Sequence, residues 1–248
     1  MISMKQFLFP TLFLGSTLFG LLSADKMFYN FKDTDELSEL AVKFDTDKSP
    51  KFHNYTKIYE SFFREHRLKP LKFLEIGIFK GSSVRMWEEY FLNAELHFID
   101  ISLEKLLHMP QRSSFHLVDQ SNKKELNSLI EKIGGDFDII IDDGGHHMHE
   151  QITSFETLFP HLKSGGLYII EDLHTSYWLS YRGNKHGVGN RNTVGFLKNL
   201  INDVNYVGYK LESPNQEASG VDSLDLNIYQ KEILSMTFFG SLCFIVKR

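Results

Sequence analysis

The stretch "DFDIIIDDGGHHMHE", Asp136 to Glu150, ends a run of three isoleucines in paired carboxylates, Asp142 and Asp143, then two glycines, then His146, His147 and His149. A second apolar run, "GLYIIED", also ends in paired acids, Glu171 and Asp172. Carboxylates in such positions can hold a hard divalent cation through oxygen. A histidine beside them can take a proton from a substrate hydroxyl near neutral pH. The three histidines could instead join the acids around zinc. The plainest alternative is a solvated turn in which His146 caps the next helix while His147 and His149 face water.

Residues upstream have a different character. In "EIGIFKGSS", Gly77 and Gly81 let the backbone turn tightly and approach a ligand, with Glu75 expected to face the same crevice. The spacing is not the Gly-x-Gly-x-x-Gly of a dinucleotide site, and Ile78 and Phe79 would crowd a pyrophosphate, which disfavours a nicotinamide dehydrogenase. Asp100 ends the run "ELHFIDI", where an acid commonly holds ribose hydroxyls, and Asp119 and Gln120 end "SFHLVDQ", where they could bracket an adenine edge.

These residues need elements to carry them. Asp33 to Phe44 and "NYTKIYESFFREHR" have the apolar spacing of amphipathic helices. From "KFLEIGI" onward, short β runs alternate with helical stretches over Val84 to Phe91, Lys123 to Ile133 and about His147 to Leu158. That alternation means parallel strands joined by right-handed crossovers. "DFDIIID" and "GLYIIED" are apolar nearly throughout, as strands covered on both faces must be. The expected fold is therefore α/β, Rossmann-like and doubly wound. "SYWLSYRGNKHGVGNRN" reads as a long surface loop and Thr193 to Val204 as a helix. "SLDLNIYQ" and "SMTFFGSLCFIVKR" read as two β runs forming an antiparallel pair at one edge. Ligands of such sheets bind beyond the carboxyl ends of the strands, where every residue discussed above falls.

The chain has 248 residues, 42% of them hydrophobic and 14% aromatic, enough for one sizeable core. A net charge of −5, with no basic run longer than two residues, leaves no footprint for a nucleic-acid backbone. The single cysteine, Cys243, lies in an apolar run and reads as a buried thiol. Small-molecule chemistry is the expectation. A nucleoside ligand without phosphate, held by acids, suits the cationic sulfonium of S-adenosylmethionine.

The blocks "TDKSPKFHNYTKIYE", "FLEIGIFKGSSVRMW", "HFIDIS", "DFDIIIDDGGHH", "FPHLKSGGLYIIEDLHTSYW" and "FFGSLCFIVK" resemble the class I S-adenosylmethionine-dependent methyltransferases. Within these they are most similar to the metal-dependent O-methyltransferases of macrolide sugars, of the mycinamicin and tetracenomycin type. The resemblance implies a seven-stranded sheet over residues 71–248 behind a helical cap at 25–70. It implies Mg²⁺, or a similar divalent cation, at Asp143, Glu171 and Asp172, with His146 as base. It places Glu75, Gly77, Asp100, Asp119 and Asp142 on the cofactor side, with His53 and Tyr55 closing over it. His147, directly after His146, leaves open which histidine serves. In the usual strand order of this fold the fourth and fifth strands are neighbours, so Asp143 emerges beside Glu171 and Asp172. Carboxylates so close need a cation between them. The expected acceptor is a small molecule bearing a sugar or another diol, walled in part by Tyr177 and Trp178; a homo-oligomer is compatible with the resemblance.

The N-terminal segment pulls the other way. Residues 1–24 hold one lysine and a charge-free stretch from Gln6 to Ala24, the pattern of a signal peptide or signal anchor, unless translation begins at Met27. Lys5 ahead of the apolar run favours export of the downstream domain. S-adenosylmethionine is a cytosolic metabolite, so the competing expectation is an exported carbohydrate-binding module on a non-catalytic methyltransferase scaffold.

Overall fold

A computed structural model describes residues 35–107, 111–206 and 225–248; the expected leader lies outside the described residues. Seven strands form one sheet: β1 (Lys72–Ile76), β2 (Glu95–Asp100), β3 (Ser114–Leu117), β4 (Phe137–Asp142), β5 (Leu162–Ile170), β6 (Ile233–Phe239) and β7 (Leu242–Lys247). Their spatial order is β3-β2-β1-β4-β5-β7-β6. The first five run parallel, and β7 inserts antiparallel between β5 and β6. The order reverses between β1 and β4, which opens a crevice at their carboxyl ends.

The helices are α1 (Glu36–Lys43), α2 (Thr56–Phe63), α3 (Ser82–Tyr90), α4 (Lys123–Ile133), α5 (Met148–Leu158), α6 (Thr193–Val204) and the short α7 (Ile228–Glu232). The first of them shows how local chemistry sets an end. Asp35 caps α1 by accepting from Ser38 N at 2.8 Å, Glu36 and Glu39 sit in the first turn and Lys43 in the last, all favourable to the helix dipole.

Alternation along the strands builds a core on each face of the sheet. Ile139 and Ile141 of β4 join Phe73, Phe98, Ile169 and Phe244 under α1, α2 and α3. Ile140 joins Leu74, Ile76, Tyr168 and Ile170 under α4, α5 and α6. Both faces are therefore covered, and the apolar β4 run has its physical reason. Cys243 is buried in the second core, and burial pushes its thiol pKa up.

Two expectations are corrected. "SLDLNIYQ" is not a β run: where it is described it is coil leading into α7. Asn227 caps that helix, its side chain accepting from Gln230 N at 2.9 Å while the Gln230 side chain accepts from Asn227 N at 3.1 Å. Such a reciprocal cap outweighs the alternating pattern of the residues around it. The antiparallel hairpin lies wholly within "ILSMTFFGSLCFIVK", with Gly240 and Ser241 between its strands. The expected long loop after β5 begins instead with two 3₁₀ turns, Leu173–Tyr177 and Leu179–Tyr181. Among the described residues no helix is long and apolar enough to cross a membrane.

Candidate active site

The ladder continues past the strand ends and aligns the loops that carry the chemistry. Gly77 N donates to Ile99 O at 2.8 Å, Asp143 N to Ile76 O at 3.0 Å, and Glu171 N to Asp142 O at 2.9 Å. Four loops thereby meet at one edge. Gly77 has φ 96°, and a Cβ there would fall inside contact distance of the Asp143 carbonyl. Gly77→Ala is expected to lower stability by about 2–3 kcal/mol, since both the left-handed backbone and the close approach exclude a side chain; urea denaturation measures it. Gly144 is less constrained: the Gln120 side-chain amide occupies the space its Cβ would need, but its backbone is not left-handed.

The crevice has a volume of about 330 Å³ and is lined by Gly77, Phe79, Asp100, Asp119, Gln120 and Asp143 among others. That volume is within the range of small-molecule sites. Asp100 accepts from Ile78 N at 2.8 Å and Ser102 N at 3.1 Å, which pins the β1 and β2 loops to one another. Asp119 accepts from Ser121 N at 2.8 Å. Gln120 bridges Asp142 Oδ1 and Gly145 N at 3.1 and 2.8 Å, so its amide holds the turn while lining the crevice.

Five residues expected on the cofactor side do not line the crevice: Glu75, Gly81 and Asp142, and with them His53 and Tyr55, which stand beside Asp172. The Asp142 carboxylate is fully buried, accepts from Ser154 and Gln120, and supports the turn from beneath. Glu75 is likewise buried below the crevice, where Ser83 Oγ and Trp87 Nε1 donate to it at 2.9 and 3.1 Å. Burial raises its pKa to about 7 despite the opposing effect of Lys48. Gly81, at φ 83°, is the N-cap of α3 and does not line the crevice.

Beyond Asp143 the site turns chemical. Asp143, His146 and Asp172 each bring a ligand atom within 4.8 Å of the others. His146 Nε2 is 3.4 Å from Asp172 Oδ2 and 3.9 Å from Asp143 Oδ1, and its buried Nδ1 has no partner. His146 and Asp172 both have positive φ, 57° and 54°, a conformation unfavourable for non-glycine residues that clusters at functional sites. Tyr55 OH donates to Asp172 Oδ1 at 2.6 Å, and exposed His53 stacks on Tyr55 with centroids 5.1 Å apart. Burial raises the Asp172 pKa, but the Tyr55 hydrogen bond and the facing histidines outweigh it and leave the group below its usual value.

His147 and His149 do not converge on these carboxylates. His147 takes the N-cap position of α5, its backbone N–H donating to Glu150 at 3.1 Å and its ring packing 5.4 Å from Tyr181. His149 is exposed on the first turn of α5. A zinc site built from the three histidines is therefore not assembled here.

Glu171 points inward rather than toward His146. It accepts from Tyr59 OH at 2.6 Å and pairs with Lys48 Nζ at 2.9 Å. Glu75, Asp143 and Glu171 form a second group of ligand atoms within 4.8 Å, and Asp143 is common to both groups. Lys48, fully buried, also donates to Asp143. Burial disfavours its charge, yet Asp143, Glu171 and Glu75 hold its pKa well above the usual lysine value. Lys48, Tyr59 and His174, whose Nδ1 lies 3.9 Å from Asp172 Oδ1, are site residues the sequence reading did not single out. The one signal for Lys48 and Tyr59 is their place within the block "TDKSPKFHNYTKIYE".

Comparison with known proteins meets this geometry. The family described as a methyltransferase domain matches residues 74–173. A tetracenomycin-C rhamnosyl 2'-O-methyltransferase of Streptomyces olivaceus is 34% identical over 88% of this chain and 56% of its own length. Mycinamicin VI 2''-O-methyltransferase of Micromonospora griseorubida is 31% identical over 86% of this chain and 52% of its own. The chain thus spans about half the length of the curated relatives it matches. Among solved structures, the MycE methyltransferase of the mycinamycin pathway, in complex with Mg, SAH and mycinamycin VI, superposes with a TM-score of 0.72 at 30% identity. That match covers 87% of this chain and 55% of MycE. A second MycE structure, with Mg and SAH, gives 0.75 over 86% and 55%. Residues 74–173 form a methyltransferase domain, and the chain is a relative of the mycinamicin- and tetracenomycin-sugar O-methyltransferases.

Proposed function

We propose that the chain is an S-adenosylmethionine-dependent O-methyltransferase that uses Mg²⁺, or a similar divalent cation, to methylate a hydroxyl of a sugar-bearing small molecule. The observation that carries this reading is Asp143: it lines the crevice with Gly77, Asp100 and Gln120 and also meets His146 and Asp172. One residue thereby joins a nucleoside-sized crevice to a cluster able to hold a cation and accept a proton. The donor set of carboxylates, with no thiol, fits a hard ion. We assign Asp143, Glu171 and Asp172 to hold it, with Asp143 as the residue common to both carboxylate groups. Such an ion, when bound, lowers the pKa of a chelated hydroxyl toward neutrality.

The chain's own residues supply the remaining steps. Asp172, fixed by Tyr55, orients the His146 ring. His146 takes the acceptor's hydroxyl proton as the oxygen attacks the methyl carbon. The carbon–sulfur bond breaks with its electron pair passing to sulfur, and S-adenosylhomocysteine leaves. Asp100 and Asp119 bind the nucleoside hydroxyls and base, between the apolar walls of Phe79, Ile101 and Val118. Aromatic rings form the acceptor side: Trp178 is half exposed, 4.6 Å from His174 and 6.0 Å from Tyr181, which in turn lies 6.4 Å from His146. A half-exposed ring linked to the base through Tyr181 suits the apolar face of a sugar. Trp178→Ala is expected to raise KM for the acceptor about tenfold with a smaller change in kcat, as removal of one stacking ring requires; steady-state kinetics with a glycosylated acceptor measures it.

The relatives named above are all methyltransferases, and none supports a non-catalytic carbohydrate module. Calorimetric titration with S-adenosylmethionine in the presence of Mg²⁺ tests the reading. Saturable heat is expected, and its absence would sink it.

A further inference from the structure

We propose that His174 reads the hydroxyl next to the one that is methylated. Held with its proton on Nδ1 by Ser241, it offers the Nε2 lone pair to that neighbouring hydroxyl and so selects acceptors in which the group is still free. The inference rests on the proposed function for the reaction itself and adds a specificity-determining residue to it.

His174 lies in the first 3₁₀ turn after β5, between the aromatic acceptor wall and the carboxylate cluster. Its ring meets Trp178 edge-on with centroids 4.6 Å apart, and its Nδ1 stands 3.9 Å from Asp172 Oδ1. Against the other oxygen of that carboxylate, His146 Nε2 is 3.4 Å from Oδ2. Asp172 is therefore bracketed by two imidazoles, of which the proposed reaction uses one. The other is fastened by the tip of the C-terminal hairpin. Ser241, left-handed at φ 63°, accepts from Leu173 N at 3.0 Å through its carbonyl, and its Oγ lies 2.9 Å from His174 Nδ1. A serine keeps such a conformation only where its surroundings hold it.

The protons of this chain of groups can be placed one by one. An ionised carboxylate only accepts, a hydroxyl has one proton to give, and a neutral imidazole carries one N–H. Tyr55 gives its proton to Asp172 Oδ1 at 2.6 Å. The Ser241 hydroxyl also faces Tyr55. It can only donate there, so it has lone pairs alone to offer His174, and Nδ1 carries the ring proton. The negative Asp172 Oδ1 near Nδ1 favours the same tautomer. Nε2 is left as an acceptor. No group among the described residues bonds it, and the side chain is 31% exposed, so a ligand can reach it. A hydroxyl satisfies that lone pair, whereas a methoxy group has no proton and meets it lone pair to lone pair. The methylation made here therefore precedes any methylation of the neighbouring position.

Nuclear magnetic resonance of the full chain labelled with nitrogen-15 in its histidines, at alkaline pH where the ring is neutral, reads the tautomer, with His174→Gln assigning the signal. Nδ1–H is expected in the wild type and a mixture of tautomers in Ser241→Ala. Steady-state kinetics with Mg²⁺ then compare methyl glycosides bearing a free vicinal diol with their mono-O-methyl counterparts, in which the hydroxyl next to the acceptor position is blocked. The wild type is expected to favour the free diol by about 10²-fold in kcat/KM. His174→Gln, whose amide can accept or donate, is expected to narrow that preference to about threefold, and His174→Ala to raise KM for the diol about tenfold with little change in kcat. An Nε2–H tautomer in the wild type, or equal use of the paired glycosides, would overturn the inference. A failure of the proposed function shows differently, as no saturable heat with S-adenosylmethionine whatever tautomer His174 holds, and would take this inference with it.

Discussion

Asp143→Asn is expected to lower turnover by about 10³-fold or more while S-adenosylmethionine binding changes only about threefold. Asparagine keeps the shape of the side chain and removes the charge, and that charge faces both carboxylate groups of the site. The crevice contacts made by Gly77, Asp100, Asp119 and Gln120 are untouched, so cofactor affinity has no reason to fall in step. The fold also tolerates the change, because Lys48 retains Glu171 and Glu75 as counter-ions and is not left as an unpaired buried charge. Single-turnover methyl transfer and cofactor calorimetry on the same preparation separate the two quantities. Equal losses in both would place Asp143 in the cofactor shell instead.

His146→Ala is expected to lower kcat by about 10²–10⁴-fold, the range for loss of a general base, whereas His147→Ala changes it by no more than about threefold. The two neighbours differ in backbone as well as in surroundings. His146 sits at φ 57°, which turns its ring back over Asp143 and Asp172, while His147 continues in extended conformation into the N-cap of α5. A left-handed alanine costs about 1–2 kcal/mol, so His146→Asn, a residue that tolerates this conformation better, serves as the control for folding. Full activity in His146→Ala together with loss in His147→Ala would move the base to His147.

Much of this architecture was legible from local pattern. The helices over Lys123–Ile133 and Thr193–Val204 carry a clear apolar periodicity, and the two central strands are runs of buried side chains. The paired acids at the ends of β4 and β5 were legible too, because the fold places functional side chains where strands end. The C-terminal hairpin was misplaced because β-like alternation in "SLDLNIYQ" hides the side-chain cap that turns Asn227 and Gln230 into a helix start. Glu75 and Asp142 read as cofactor residues for a similar reason. Sequence position puts both at strand ends, but whether a carboxylate faces the crevice or the interior depends on what packs beneath it, here Trp87 and Ser154.

The sequence by itself determined the α/β order of elements, the strand-end acids, and the turn of two glycines that brings a histidine back toward them. These depend on residues close to one another along the chain. Only the tertiary structure decided how the carboxylates divide. Asp172 receives Tyr55 from 117 residues away and Glu171 receives Tyr59 from 112 away, while Lys48 reaches Asp143 across 95. Such pairings arise from the packing of α2 and its preceding turn against the sheet. No local periodicity encodes them, because the energy of a buried ion pair exists only once every partner has left water.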